Sequence, residues 1–168
     1  MMNFYRYLFY GLVAIAVLQS IFYYPQLSPV VAAHFNSSGA ANGWSSRNVF
    51  FAIYLAMIAL LVGVFIYLPH CSGKRGKLRM NIPNRDYWLA AQRQQQTIEF
   101  VRRQMLILGI VHLLLAIYSV QLAILANLQQ ASGLHESLWW ALGLYFVFVT
   151  LWLINLFRQF RKPPDQTE

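Results

Sequence analysis

The sequence predicts an all-α membrane protein with four transmembrane helices, and its composition and apolar runs support this. Of the 168 residues, 58% are hydrophobic and only 11% are charged, with a mean hydropathy of +0.45. A water-soluble domain carries roughly a quarter of its residues as charges. Four apolar runs, at about residues 7–24, 49–68, 105–126 and 138–157, account for the difference. Each is close to the ~20 residues that cross a hydrocarbon core, and none contains Asp, Glu, Lys or Arg.

The basic residues predict the orientation of this single membrane domain. Of the 13 Lys and Arg residues, all except Arg47 lie near the N-terminus, in the loop 69–104 or after residue 157. The positive-inside rule then places both termini and the basic loop 69–104 in the cytoplasm. The loop 25–47 and the short turn 127–137 face outward. Because the charges lie beside membrane boundaries, the expected partner is a bilayer with anionic headgroups and not a nucleic acid.

Two helix starts are suggested by capping residues. Ser45 or Ser46 can cap the second transmembrane helix, because a serine hydroxyl accepts a hydrogen bond from the first turn. Asp86 can cap a helix that begins near Tyr87. From there the apolar residues fall on one face, which predicts an amphipathic cytoplasmic helix in the inner headgroup layer, leading into the third transmembrane helix.

The third run carries small and polar residues at steps of three and four, a spacing that predicts a face directed into the bundle. The members of this seam are Gly109, His112, Ala116, Ser119, Ala123 and Ala126. His112 is the ionisable residue well inside a span, which makes it a functional candidate. The alternative, which we favour, is a neutral histidine hydrogen-bonded to a Ser or Gln of a neighbouring helix. Gln19 is expected to make a similar contact between helices. A stripe of small residues on the second run, Ala52, Ala56, Ala59 and Gly63, is expected to pack against another helix.

The residues needed for catalysis are scarce. The chain has five acidic residues, of which only Glu136 is expected outside, so paired carboxylates for acid–base chemistry are absent there. No glycine-rich phosphate loop is visible. His34, His135 and Glu136 could meet as metal ligands, but hydrogen-bonding loop histidines are the favoured alternative. We therefore predict no enzymatic activity, cofactor or metal. The single Cys71 cannot form an intrachain disulfide.

The outer loop 25–47 is the best candidate for function. Pro25 and Pro29 prevent a continuous helix, and Ser38-Gly39 and Asn42-Gly43 supply positions for tight turns. Unlike a generic linker, the loop also carries aromatic and histidine side chains. The candidate recognition residues are His34, Phe35, Asn36, Gly39, Asn42, Gly43 and Trp44. The alternative is that these residues only fold the loop onto the bundle.

These residues carry a family resemblance. Pro29, His34-Phe35-Asn36, Gly39 and Asn42-Gly43-Trp44 resemble the signature of a bacterial membrane domain of unknown function, number 1648, over about residues 10–65. This domain is also found at the N-terminus of SdpI-type bacteriocin immunity proteins. The resemblance implies a multi-pass protein of the bacterial inner membrane. Together with the residues of the outer loop, it leads us to expect recognition of a membrane protein or peptide, in immunity, signalling or envelope stress. A structural or assembly subunit of a larger membrane complex is the alternative, and a transporter of a lipid-like substrate is less favoured.

Overall fold

The computed structural model describes residues 2–69 and 82–161, which form a mostly helical protein. Its elements, in chain order, are α1 (Met2–Tyr23), β1 (Val30–Phe35), β2 (Ala41–Ser46), α2 (Arg47–Val62), α3 (Arg85–Trp88), α4 (Gln94–Leu128) and α5 (Ser137–Arg161). A 3-10 turn, Tyr24–Gln26, follows α1, and a π-helical turn, Gly63–Tyr67, extends α2. Within the described ranges, four helices are long and apolar enough to cross a membrane: α1, α2, α4 and α5. The four predicted spans are confirmed, whereas the orientation of the termini stays a prediction.

The helix α4 is the centre of the bundle, because α1, α2 and α5 all pack against it. Phe9 of α1 and Leu113 and Ile124 of α4 are fully buried. Gly109 lets α4 approach two aromatic rings: a Cβ at this position would lie 2.7 Å from Cγ of Phe65 and 2.8 Å from Cε2 of Phe9. The predicted seam of α4 therefore does face the bundle at this position.

The helix α2 packs differently from the prediction. Its buried residues are the large Phe51, Tyr54 and Ile58, whereas Ala52 and Ala56 of the small-residue stripe are exposed. Residues at steps of three and four share one face of a helix, so burial of the large face turns the alanines outward. The three alanines of the stripe, at positions 52, 56 and 59, are thus exposed.

The helix α5 lies at the edge of the bundle. It packs mainly against α4, and its buried residues are Leu138 and Phe160, close to its two ends. Three side-chain hydrogen bonds tie it to α4. They join Tyr118 to Ser137 (2.7 Å), His112 to Tyr145 (2.8 Å) and Gln104 to Trp152 (2.9 Å).

The segment before α4 corrects one helix prediction. The prediction of a helix that starts near Tyr87, with Asp86 as its N-cap, is wrong. Helix α3 starts at Arg85, and α4 starts separately at Gln94. The amide of Asn84 donates to the carbonyls of Phe160 and Arg161 (2.9 and 2.8 Å), which ties this segment to the end of α5. The chain therefore does not form one continuous amphipathic helix. Much of the basic loop, including Cys71, lies outside the described residues.

Candidate functional site

The loop 25–47 forms an antiparallel β-hairpin, which an all-α prediction does not include. The strands β1 and β2 pair from Val30 opposite Ser46 to Phe35 opposite Ala41, with an irregular register around His34. The predicted serine cap of α2 is confirmed at Ser46, whose hydroxyl accepts a hydrogen bond from the Val49 amide at 3.3 Å. The hairpin therefore passes directly into the second transmembrane helix.

Two glycines of the signature have different structural roles. Gly39 has a φ of +83°, in agreement with the turn predicted at Ser38-Gly39. The turn predicted at Asn42-Gly43 is wrong, because Gly43 lies within β2 opposite His34. A Cβ at Gly43 would stand 2.9 Å from Cβ of His34. Gly43 is thus needed for close approach of the strands and not for a turn.

Asn36 organises the tip of the hairpin. Its side-chain oxygen accepts hydrogen bonds from the Ser38 amide (3.0 Å), the Ser38 hydroxyl (2.7 Å) and the Ala40 amide (3.0 Å). A side chain that bonds to backbone two residues ahead forms an Asx turn. Asn36 therefore has a structural role that accounts for its presence in the signature.

The tip of the hairpin docks on the loop between α4 and α5. The Gly39 carbonyl accepts a hydrogen bond from the Leu134 amide at 2.8 Å. Gly133 lies so close that a Cβ on it would be 2.5 Å from the Gly39 carbonyl oxygen. This contact buries Gly39 and fixes the hairpin above the bundle.

Asn127, at the end of α4, holds the edge of β1 and was missed from the sequence. Its side-chain oxygen accepts from the Ala32 amide at 2.7 Å, and its side-chain nitrogen donates to the Ala32 carbonyl at 3.0 Å. The same nitrogen donates to the Ala123 carbonyl at 2.8 Å. The carboxamide thus pairs with β1 as a neighbouring strand would. The sequence did give one indication of this role, since Asn127 lies four residues after Ala123, a member of the predicted inward seam.

The other face of the hairpin remains open. His34 and Asn42 are exposed and bond to each other through Nδ1 of His34 and the Asn42 side-chain oxygen. Trp44 is 64% exposed, and its side chain has no hydrogen-bond or ring partner in the described part of the chain. Phe35 is half-buried. The structure thus divides the candidate residues into two sets. Asn36, Gly39 and Gly43 shape the hairpin, whereas the side chains of His34, Asn42 and Trp44 are exposed on its surface.

The alternative of a metal site on the outer face finds no support. Among the described residues, no group of three or more His, Cys, Asp or Glu side chains is placed to hold a metal ion. His135 instead bonds to the hydroxyl of Ser137 at 2.8 Å, within its own turn. His34 is paired with Asn42. Both histidines are thus hydrogen-bonding loop residues.

The intramembrane histidine has a partner that the sequence analysis did not identify. Nδ1 of His112 lies 2.8 Å from the Leu108 carbonyl, which can only accept, so Nδ1 carries the proton. Nε2 lies 2.8 Å from the hydroxyl of Tyr145 on α5. The prediction of a Ser or Gln partner is wrong, because the residue of the neighbouring helix that bonds to the ring is Tyr145. Ser119 donates to the Leu115 carbonyl of its own helix at 2.8 Å.

We expect His112→Leu to cost about 1 kcal/mol in the free energy of unfolding, because it leaves the Tyr145 hydroxyl without its partner in the membrane. His112→Gln keeps a polar group and should change stability less. Unfolding in mixed detergent micelles measures both effects. The matched variant is Tyr145→Phe, and its effect should not add to that of His112→Leu. Loss of function in His112→Gln at an unchanged protein level would instead show that the ring has a chemical role.

A second set of polar side chains forms a hydrogen-bond network that joins three helices. The Tyr54 hydroxyl donates to the side-chain oxygen of Gln19 at 2.7 Å. The Gln19 nitrogen donates to the side-chain oxygen of Gln121 at 2.8 Å, and the Gln121 nitrogen donates to the Tyr23 hydroxyl at 3.0 Å. The interhelical contact predicted for Gln19 is confirmed. This network holds α1, α2 and α4 together.

The fold and site define a class: a small membrane protein in which a β-hairpin between the first two spans docks on the end of a helical bundle. Residues 11–58 match the family model described as Domain of unknown function (DUF1648). The match covers most of α1, the hairpin and most of α2, and it confirms the resemblance to this domain inferred from the loop residues. Comparison with curated proteins and with solved structures found no match.

Proposed function

We propose that this is a non-enzymatic protein of the bacterial inner membrane that recognises an extracytoplasmic membrane protein or peptide through the open face of its hairpin. The observation that carries the proposal is the exposure of Trp44 on a rigidly docked hairpin. Tryptophan is among the residues that contribute most to binding at interfaces. Three contacts hold the hairpin in place. They are the hydrogen bonds of Asn127 to Ala32, the contact of Gly133 with Gly39, and the Ser46 cap.

The division among the signature residues supports recognition over a purely structural role. Side chains that only build the hairpin are expected to be buried or bonded to backbone, as Asn36 is. Trp44 contributes to neither, and the ring of His34 hydrogen-bonds to the Asn42 side chain on the same open face. An exposed indole ring and an exposed imidazole on one hairpin offer both apolar contact and a directed hydrogen bond. Such a surface suits a peptide or protein partner in immunity, signalling or envelope stress.

The test compares variants for function and abundance separately. We expect Trp44→Ala to keep normal abundance and to abolish the protection that the wild-type gene gives a deletion strain challenged with membrane-active peptides. Gly43→Ala should lower abundance, because its Cβ would meet that of His34. Trp140→Ala is the matched control, since Trp140 is 76% exposed in the first turn of α5.

Two results would contradict the proposal. An equal loss of protection with Trp140→Ala would mean that Trp44 serves only as an interfacial anchor. The second result concerns Ser38→Cys in a Cys71→Ser background. If an impermeant reagent fails to label this cysteine in intact cells, the hairpin lies on the cytoplasmic side.

A second candidate function is that of an assembly subunit in a larger membrane complex. The exposed alanines at positions 52 and 56 leave α2 open to a close helix contact. The helix α5, buried only near its ends, offers another free surface. Purification in mild detergent with mass measurement decides between the candidates, because a lone, monodisperse chain excludes a stable complex.

A further inference from the structure

A groove runs between α1 and α2 at the hairpin end of the bundle. It has a volume of about 480 Å³, and its walls include Ile21, Tyr24, Phe51, Ala52 and Leu55. The end nearest the hairpin is polar, because the Tyr24 hydroxyl there donates to the side-chain oxygen of Asn48 at 2.7 Å. The rest of the groove follows one side of α2. Its shape is that of an apolar slot with a polar end.

Arg47 stands beside the polar end of this groove. Its guanidinium carbon lies 4.3 Å from the centre of the Tyr24 ring, and Nη1 donates to the Leu27 carbonyl at 2.7 Å. Nε is buried without a hydrogen-bond partner. No carboxylate in the described ranges forms an ion pair with this guanidinium. A partly buried cation with no counter-charge is costly, and an external anion would relieve that cost.

We propose that the groove binds an anionic phospholipid from the leaflet on the hairpin side, with its phosphate beside Arg47 and an acyl chain along α2. Guanidinium groups are well suited to phosphate oxygens, which they attract through their charge as well as through their N–H donors. The N-terminus of α2 lies at the same place and carries a partial positive charge, which favours an anion. The apolar slot continues from the polar end past Ala52, in the direction that a lipid tail takes from its headgroup. This site is separate from the open face of the hairpin and does not depend on the recognition proposed above.

The test uses the full chain in phosphatidylcholine vesicles that contain a small fraction of phosphatidylglycerol with a photoreactive acyl chain. Labelling is mapped by peptide mass analysis. We expect label on residues 48–55, and we expect Arg47→Gln to reduce it about tenfold, the factor that one charge-assisted contact supplies. Arg47→Lys, which keeps the charge, should reduce it less. Unlabelled phosphatidylglycerol should compete more strongly than phosphatidylcholine.

Two further variants keep the test independent of folding. Ala52→Phe fills the exposed groove without touching Arg47 and should also remove the label. Arg103→Gln is the matched control, because Arg103 also stands over an aromatic ring, 5.6 Å from the centre of Phe100, but outside this groove. It should leave the label on residues 48–55 unchanged. Wild-type labelling in both Arg47→Gln and Ala52→Phe would overturn the proposal, as would equal competition by the two lipids.

Discussion

Gly109→Ala is expected to destabilise the bundle by about 2 kcal/mol, the scale of an overpacked core. The added Cβ would meet Cγ and Cβ of Phe65 at 2.7 and 2.9 Å. These atoms are close to the backbone of the π-helical turn, so a rotation of the ring alone cannot make room. The preference of helices for alanine over glycine recovers only part of this cost. Reversible unfolding in mixed micelles measures the difference.

Gly143→Ala is the control for Gly109→Ala. Gly143 also lies within a long helix, but nothing stands within 4 Å of a Cβ built there. Its substitution should be neutral or slightly stabilising, because only helix propensity changes. Equal effects of the two substitutions would contradict the close contact of α4 with Phe65 and Phe9.

The transmembrane helices were predictable because hydropathy is a local property. The run predicted at 105–126 lies within α4 and the run at 138–157 lies within α5. The additional length of α4 is at its polar start, where hydropathy carries no signal. The serine cap at Ser46 and the turn at Gly39 were also predictable, since each follows from a residue's own preferences.

The hairpin was not predictable by the same means. Its strand β2, with the sequence Ala-Asn-Gly-Trp-Ser-Ser, has few β-branched or aromatic residues and no apolar alternation. The bonds that hold it come from distant parts of the chain, such as the Asn127 amide, 95 residues from Ala32. The resemblance of the loop residues to a known domain was confirmed by the match over residues 11–58. It could not divide those residues into structural and exposed ones, because that division depends on which face of the hairpin docks.

The partners of the intramembrane polar residues were also hidden. Tyr145 and Tyr54 lie within apolar runs, where a tyrosine adds to the apolar character and gives no sign of a hydrogen bond. Each bonds to a residue of another helix, His112 and Gln19 respectively. Such pairs depend on the rotation of one helix against the next, and a sequence does not specify that rotation.

The second large effect is expected at Gln19, which is buried and bonds to both Tyr54 and Gln121. Gln19→Leu should cost about 2 kcal/mol, because it leaves the Tyr54 hydroxyl and the Gln121 oxygen without those bonds in an apolar interior. The same unfolding measurement in mixed micelles reports it. The expected loss exceeds that for His112→Leu, because two side-chain partners on other helices are affected instead of one.

A double variant separates the network from simple packing. Tyr54→Phe removes the hydroxyl that Gln19→Leu would leave unpaired, so the double variant should be less destabilised than the sum of the two single variants. Ser119→Ala is the control, because the Ser119 hydroxyl bonds only to the carbonyl of Leu115 within its own helix. Its substitution removes no contact between helices and should change stability little. Full additivity of Gln19→Leu and Tyr54→Phe would mean that the two side chains contribute independently and that the network does not couple α1 to α2.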